Sequence, residues 1–329
     1  MEVPVYQLPN APPITEQHIA VKTLIRHFRN VSNIKLNFKN VLFEEKIELV
    51  KKFKVEFRSI FMETIGHSDN LAEFGEDLIE FVNGDGSNED QLDLLNSLLI
   101  DARINKAAIE NTNLKIKSLL NEMSKLTENL REDLKDFNEK KNVDASTYND
   151  KMKAEELEQL YEIGANILSL LVGFGAAALV PNANTAVAAT TKEVLLNYAK
   201  KTIVTMVTSK ATKIVASLPA QNKRQEVIRL ENILSERQKQ ILEKSKELKE
   251  TIDLMDSCLK QLEVYWGKNV LKLQRVIEKY KSPSEHGSLR KELINPKRWQ
   301  KTIEECRTYS HDINKEINID IYVNQINLF

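Results

Sequence analysis

The sequence contains few of the residue groupings that perform chemistry in proteins. Five histidines could act as metal ligands or general bases: His18, His27, His67, His286 and His311. None of them pairs with another at the spacing of a zinc site, which needs clustered His and Cys side chains. The chain also has no glycine-rich phosphate loop and no nucleophile elbow. We therefore expect a protein that is not an enzyme and that uses no metal ion or other cofactor.

One loop combines turn residues with acidic side chains. Residues 82–90 read Val-Asn-Gly-Asp-Gly-Ser-Asn-Glu-Asp. Acidic side chains in a loop are typical of calcium sites, but the glycine and the twelfth-position glutamate do not fall where an EF-hand needs them. The sequence favours a turn followed by a helix, with Ser87 as the N-cap and Asp90 as its capping-box partner.

The two cysteines, Cys258 and Cys306, could form at most one disulfide. Two free, partly buried thiols are the favoured interpretation, because free cysteine usually behaves as a small buried apolar residue. The sequence leaves open whether the two meet.

The composition predicts an all-α protein of long helices. Only 9 of the 329 residues are Gly and 8 are Pro, while 29% are charged, so turns are few and the elements between them are long. The 47 basic and 48 acidic residues nearly cancel, which argues against a nucleic-acid partner. The N-terminus has no basic segment followed by an apolar one, so no cleavable signal peptide is visible.

Against this charged background, residues 163–191 carry no charge at all. The first 18 of them, Ile163–Val180, would span about 27 Å as a helix, close to the hydrocarbon thickness of a bilayer. We expect this segment to insert into a membrane through its large apolar side chains. These are Ile163, Ile167, Leu168, Leu170, Leu171, Val172, Phe174, Leu179 and Val180.

Two further features of this segment favour a membrane helix. Small residues recur at every fourth position, which lets helix backbones approach closely in a membrane: Ala165, Ser169, Gly173 and Ala177. Three of the nine glycines also lie here, although each costs a soluble helix about 1 kcal/mol relative to Ala. The segment ends at a predicted hairpin tip made of Pro181, Asn182 and Asn184. A returning leg rich in Thr and Lys follows, to Leu218.

The rest of the chain predicts an elongated bundle of coiled-coil-like helices around this central hydrophobic hairpin, or tongue. We expect helices over about 16–65 with a break near Asn33, and over 88–160, 222–280 and 297–316. Residues 1–161 and 219–329 would form one rod, and 162–218 the tongue. Within 222–280, two interleaved seven-residue series are mostly apolar. They are Leu234, Ile241, Leu248, Met255, Leu262 and Val276, and Ile252, Leu259, Trp266, Leu273 and Tyr280.

Other interpretations of Ile163–Val180 remain open. A segment that is apolar all round can be the buried central helix of a soluble protein. The chain would then be a non-enzymatic coiled-coil scaffold or a regulator that binds a toxin. A permanent membrane anchor is a further alternative, although the lysines of the returning leg make it an unusual one.

This order of elements resembles the cytolysin A type of α-helical pore-forming toxins, with their rod of long helices and hydrophobic tongue. The family includes tripartite enterotoxin components, Cry6-type proteins and two-component xenorhabdolysins. The resemblance covers nearly the whole chain, but it is one of architecture and hydropathy rather than of a sequence motif. It places the tongue on Ile163–Val180 and the returning leg. The second leg departs from the simplest members because it has no long apolar run.

The resemblance implies a secreted, soluble monomer that releases the tongue, inserts it into a target lipid membrane and oligomerises into a pore. A second toxin component is a further partner that it implies, because the returning leg is not apolar. Without a visible signal peptide, export would follow an unconventional route or cell lysis.

Overall fold

The computed structural model describes residues 7–12, 14–32, 41–140, 220–281, 289–290 and 293–326. These residues form five α-helices and no strand. The helices are α1 (Ile14–Ser32), α2 (Val41–Asn83), α3 (Asn88–Lys140), α4 (Ala220–Tyr280) and α5 (Pro296–Ile326). The all-α class predicted from composition is confirmed. The predicted tongue, residues 162–218, lies outside the described residues.

Two compact units divide the chain. Unit 1 comprises Met1–Ile25, Phe57–Ile116 and Asp253–Phe329, and unit 2 comprises Arg26–Glu56 and Lys117–Ile252. This division follows spatial contacts and does not test the predicted boundaries at 161 and 218, which stay a prediction.

The turn between α2 and α3 forms as the sequence predicts. The Ser87 side chain accepts a hydrogen bond from the Asp90 backbone N–H at 3.2 Å. The Asp90 carboxylate in turn accepts bonds from the Ser87 N–H at 3.0 Å and its hydroxyl at 2.7 Å. These reciprocal bonds satisfy backbone donors that the first turn of a helix leaves without partners. The hydroxyl and amide bonds from Ser87 lower the pKa of the Asp90 carboxyl.

The end of α2 was predicted wrongly. The sequence predicted a helix ending near Ile65, but α2 continues to Asn83. Gly66 and the polar residues that follow it have weak helix propensity. In the structure, His67 and Ser68 are buried and bond to neighbouring helices, so tertiary contacts compensate for weak local helix propensity. At the end of α2, the Arg290 guanidinium donates to the carbonyl oxygens of Phe81 and Gly84.

Helix α5 begins one residue before the predicted start and continues past its predicted end near Glu316, to Ile326. Pro296 occupies the first helical position, where its missing N–H costs nothing. Asn295 precedes it as the N-cap, and the Asn295 carbonyl accepts a hydrogen bond from the Trp299 N–H at 3.1 Å. The residues from Ile317 to Ile326, beyond the predicted end, are therefore helical.

The interleaved apolar series of α4 is confirmed where the structure describes its side chains. Every apolar member from Leu248 onward is buried: Leu248, Ile252, Met255, Leu259, Leu262, Trp266, Leu273, Val276 and Tyr280. Asn269, the polar break in the series, is also buried and donates to the Tyr265 carbonyl at 3.0 Å. A buried amide in such a position costs stability unless it is bonded; the Asn269 NH2 group is bonded to its own helix, while its Oδ1 has no partner among the described residues.

In unit 2, the described side chains join the end of α1 to α4. Arg26 donates to the Glu247 carboxylate at 2.8 Å, and His27 Nε2 lies 3.5 Å from the other Glu247 oxygen. Phe28 follows His27 in the sequence and Leu248 follows Glu247, and both of these apolar side chains are buried. The pattern is that of a helix with one apolar face and one charged face.

Candidate functional site

The predicted insertion residues and hairpin tip lie between 163 and 184, outside the described residues, so their predicted role stays a prediction. The segment that carries them joins Lys140, the last residue of α3, to Ala220, the first of α4. Within the part of the chain that the structure describes, no helix combines the length and apolarity needed to cross a bilayer. The described site is therefore the set of helix contacts in unit 1.

Helices α3 and α4 contact each other in an antiparallel arrangement. The Asn113 amide donates to the Glu263 carboxylate at 3.0 Å. One turn away, a Cβ added to Gly267 would lie 3.7 Å from Lys106 Cε, an ordinary van der Waals distance. Since residue numbers rise on one helix as they fall on the other, the two chain segments run in opposite directions. Both helices flank the predicted tongue in sequence.

Helix α2 packs very closely against α5. A Cβ built on Gly75 would lie 2.5 Å from Trp299 Cε3 and 3.1 Å from Ile303 Cγ1, so only glycine fits without a shift. Two turns earlier, the Ser68 hydroxyl donates to the Cys306 carbonyl at 3.2 Å. The contact is therefore set by small residues on α2.

An aromatic cluster surrounds this close contact. The ring centroids of Phe74 and Trp266 are 4.9 Å apart in an edge-to-face arrangement, and Phe74 lies 6.1 Å from Trp299. Tyr265 completes the cluster, 6.5 Å from Trp299. These separations are those at which aromatic pairs attract beyond their buried area. Both tryptophans of the chain therefore lie in this cluster, so tryptophan fluorescence follows the packing of this part of unit 1.

Tyr309 of α5 links three helices. Its hydroxyl lies 2.6 Å from the Thr64 hydroxyl of α2 and 3.5 Å from the Gln17 amide of α1. The imidazole of His18 stands edge-on to the Tyr309 ring at 5.5 Å. Burial raises the pKa of Tyr309, so it stays a neutral hydrogen-bonding group at any physiological pH. The three hydrogen-bonding side chains, Tyr309, Thr64 and Gln17, are all buried, which is typical of a structural hydrogen-bond centre.

The contact between α2 and α3 is polar. The buried His67 ring lies 2.8 Å from the Thr112 hydroxyl, which also donates to the Glu63 carboxylate at 2.8 Å. Lys115 forms an ion pair with the same carboxylate. Further along, the Asn70 amide donates to Asn105 Oδ1 at 2.7 Å. The sequence pattern does not reveal this set, because each residue falls on a helix face that would be solvated if the helix were alone.

The environment of His67 favours its neutral form. The pKa of His67 is lowered from 6.5 to about 4, mainly by desolvation; the Glu63 carboxylate opposes this shift and Lys115 adds to it. A neutral imidazole has one nitrogen that donates and one that accepts, and Nε2 lies within hydrogen-bond distance of the Thr112 hydroxyl. Acid that protonates His67 should therefore weaken the α2–α3 contact.

The cysteines are free and buried, as the sequence favours. Desolvation raises the pKa of each thiol, Cys258 and Cys306, to about 11. Since the thiolate is the reactive form, neither side chain is equipped as a nucleophile near neutral pH. In the described ranges, no group of three or more His, Cys, Asp and Glu side chains could hold a metal ion.

Comparison with solved structures identifies the fold. The SmhB pore of the tripartite α-pore-forming toxin Smh from Serratia marcescens matches with a TM-score of 0.50 and 13% identity. The match covers 93% of this chain and 98% of that one. Soluble SmhA of the same toxin has a TM-score of 0.49 at 13% identity, covering 94% and 96% of the two chains. The AhlB pre-pore of the tripartite toxin AHL from Aeromonas hydrophila has 0.48 at 14% identity, covering 93% and 96%.

The fold is thus that of the α-helical pore-forming toxin components, which confirms at the level of fold the resemblance found in the sequence. Sequence comparison adds nothing to this, because no protein-family model matches the chain and no curated protein matches it significantly. At 13% identity the likeness establishes architecture, and function has to be argued from the residues.

Proposed function

We propose that this chain is an α-helical pore-forming toxin or a component of one, with Ile163–Val180 as its membrane-insertion element. Two observations together carry the proposal. A likeness to the SmhB pore over 93% of the chain coincides with a charge-free, membrane-length segment between α3 and α4. A pure coiled-coil scaffold would not need such a segment at that place.

The proposed mechanism follows from the contrast between the two legs of the predicted hairpin. Ile163–Val180 enters the bilayer as a helix, because a helix satisfies its own backbone hydrogen bonds in lipid. One helix cannot enclose water, so several protomers must assemble in a ring. The returning leg carries Lys192, Lys200, Lys201, Lys210 and Lys213 against the single Glu193, and it would line the aqueous lumen.

Dye release from liposomes tests the proposal, with electron microscopy of the same samples. We expect release accompanied by ring-shaped oligomers. Leu171→Asp and Gly173→Asp should each reduce release at least tenfold, because a carboxylate at the centre of a membrane helix costs about 3 kcal/mol. A matched control is Leu114→Asp on α3, where the same change falls on a side chain that is already 64% exposed.

The possible outcomes separate the candidate functions. Liposome binding without leakage would indicate a component that needs a second toxin protein, and adding that protein should then restore release. Unchanged lysis by Leu171→Asp would contradict the assignment of the insertion element. If neither binding nor release occurs, Ile163–Val180 is a buried core helix, and the scaffold or regulator function replaces the toxin.

A further inference from the structure

A groove runs between the N-terminal segment, residues 7–12, and one face of α4 in unit 1. Two adjoining cavities of about 540 and 340 Å³ form it, and Asn10 and Lys268 line both. Leu8 is buried and donates its backbone N–H to the Leu293 carbonyl at 2.9 Å. This bond fixes one wall of the groove, so the groove is a built feature of the fold.

One end of the groove is cationic. Lys268, Lys272 and Arg275 line the smaller cavity, and its described lining contains no acidic residue. At the other end Asp256 is the acidic lining residue, and it is paired with Lys260 four positions along the helix. The groove as a whole therefore has three more basic than acidic side chains, in a chain whose total charge is −1.

The same groove exposes apolar side chains. Val264 and Leu271 line it and are 55% and 59% exposed. They are seven residues apart, so they lie on one face of α4, two turns from each other. Exposed apolar residues bordered by charged ones are typical of protein interaction sites.

We propose that this groove binds an acidic segment of a partner protein. Carboxylates of the partner pair with Lys268 and Arg275, and its apolar side chains cover Val264 and Leu271. Charge complementarity of this kind selects the partner and its orientation, while the apolar contacts hold it in place. The proposal does not depend on membrane insertion by Ile163–Val180, because every residue it uses lies in unit 1.

The shape of the groove favours a polypeptide over other anionic ligands. Its α4 wall extends from Asp256 to Arg275, which corresponds to about 30 Å of helix. A small molecule would fill a fraction of that length. A flat bilayer surface would be kept from the floor by the wall of residues 7–12. An acidic helix of about five turns, or a shorter extended segment, matches the length.

Fluorescence anisotropy with the full chain tests the proposal. The probe is a labelled 20-residue helical peptide with leucines at three- and four-residue spacing and glutamates on the flanking positions. A second peptide has lysine in place of every glutamate. We expect the acidic peptide to bind and the lysine peptide not to bind. Leu271→Asp, and separately the double change Lys268→Glu with Arg275→Glu, should each weaken binding at least tenfold.

Lys301→Glu on α5 is the control, because it replaces a basic residue by Glu, as each of the two paired groove changes does, on a side chain that is 77% exposed and outside the groove. Circular dichroism of each variant checks the fold. Absence of binding by the acidic peptide would overturn the proposal, as would equal binding of the lysine peptide or an equal loss in the Lys301→Glu variant. Binding to phosphatidylserine vesicles that the groove variants abolish, without peptide binding, would assign the groove to a lipid surface instead.

Discussion

Helix α2 contacts two neighbours in unit 1 through two different kinds of surface. Toward α5 it presents small residues, and Gly75 lies so close to Trp299 that no other residue fits. Toward α3 it presents polar groups, with His67 and Glu63 bonded to Thr112. The first contact depends on shape and the second on protonation. Each should therefore fail under a different perturbation.

The largest effect should come from filling the close contact. Gly75→Ala places a methyl group 2.5 Å from the Trp299 ring, and that ring is buried and packed against Phe74, so it cannot move aside. We expect a loss of about 2 kcal/mol in the free energy of unfolding, net of the gain in helix propensity. Urea denaturation followed by tryptophan fluorescence measures it, since both tryptophans lie in unit 1.

Gly66→Ala is the matched control on the same helix. A Cβ at Gly66 meets nothing within 4 Å, so the same change should stabilise the protein by about 1 kcal/mol. The two variants should differ by about 3 kcal/mol. Equal effects of the two changes would show that the close packing of α5 does not require glycine at position 75.

Acid should weaken the polar contact. The pKa of His67 is about 4 in the folded protein and near 6.5 when unfolded, so the unfolded chain binds the extra proton between these values. Stability is therefore complete above pH 6.5 and is lost as the pH falls toward 4. Between pH 7.5 and 5 we expect a loss of about 2 kcal/mol from this residue. The measurement is urea denaturation at both pH values.

The variant His67→Gln separates this effect from general acid destabilisation. Glutamine is uncharged at both pH values and can still bond to Thr112. Its stability should fall less between pH 7.5 and 5 than that of the unchanged chain, by about 2 kcal/mol. The same pH dependence in both proteins would mean that other titrating groups cause the loss. Gly75→Ala should leave the pH dependence unchanged, because the side chains that its Cβ would meet, Trp299 and Ile303, do not titrate.

The comparison also shows what sequence patterns can and cannot predict. The interleaved apolar series of α4 and the Ser87–Asp90 capping box follow local spacing, so the sequence was sufficient for both. The continuation of α2 beyond Ile65 was missed, because Gly66 and the polar residues after it weaken the local helix signal. Tertiary hydrogen bonds compensate for this weak helix signal. One of them, from Ser68 to α5, joins residues more than two hundred positions apart.

The two candidate functional regions also differ in whether the sequence alone reveals them. Ile163–Val180 stands out in the sequence through its composition alone, and its role stays a prediction. The groove along α4 could not be predicted, because its second wall is formed by residues 7–12, far away in sequence. The spacing of Lys268, Leu271, Lys272 and Arg275 marks one helix face, but it does not distinguish a groove from an ordinary solvated surface.

The smallest effect should come from the exposed member of the polar contact. Lys115 is 47% exposed and pairs with Glu63, so Lys115→Gln should cost less than about 1 kcal/mol at neutral pH. It should nevertheless raise the pKa of His67, because Lys115 opposes protonation of that ring while Glu63 favours it. Titration of the His67 ring by NMR measures that shift. A rise in pKa with almost unchanged stability would show that Lys115 acts on His67 electrostatically, whereas a large loss of stability with no change in pKa would make it a packing residue.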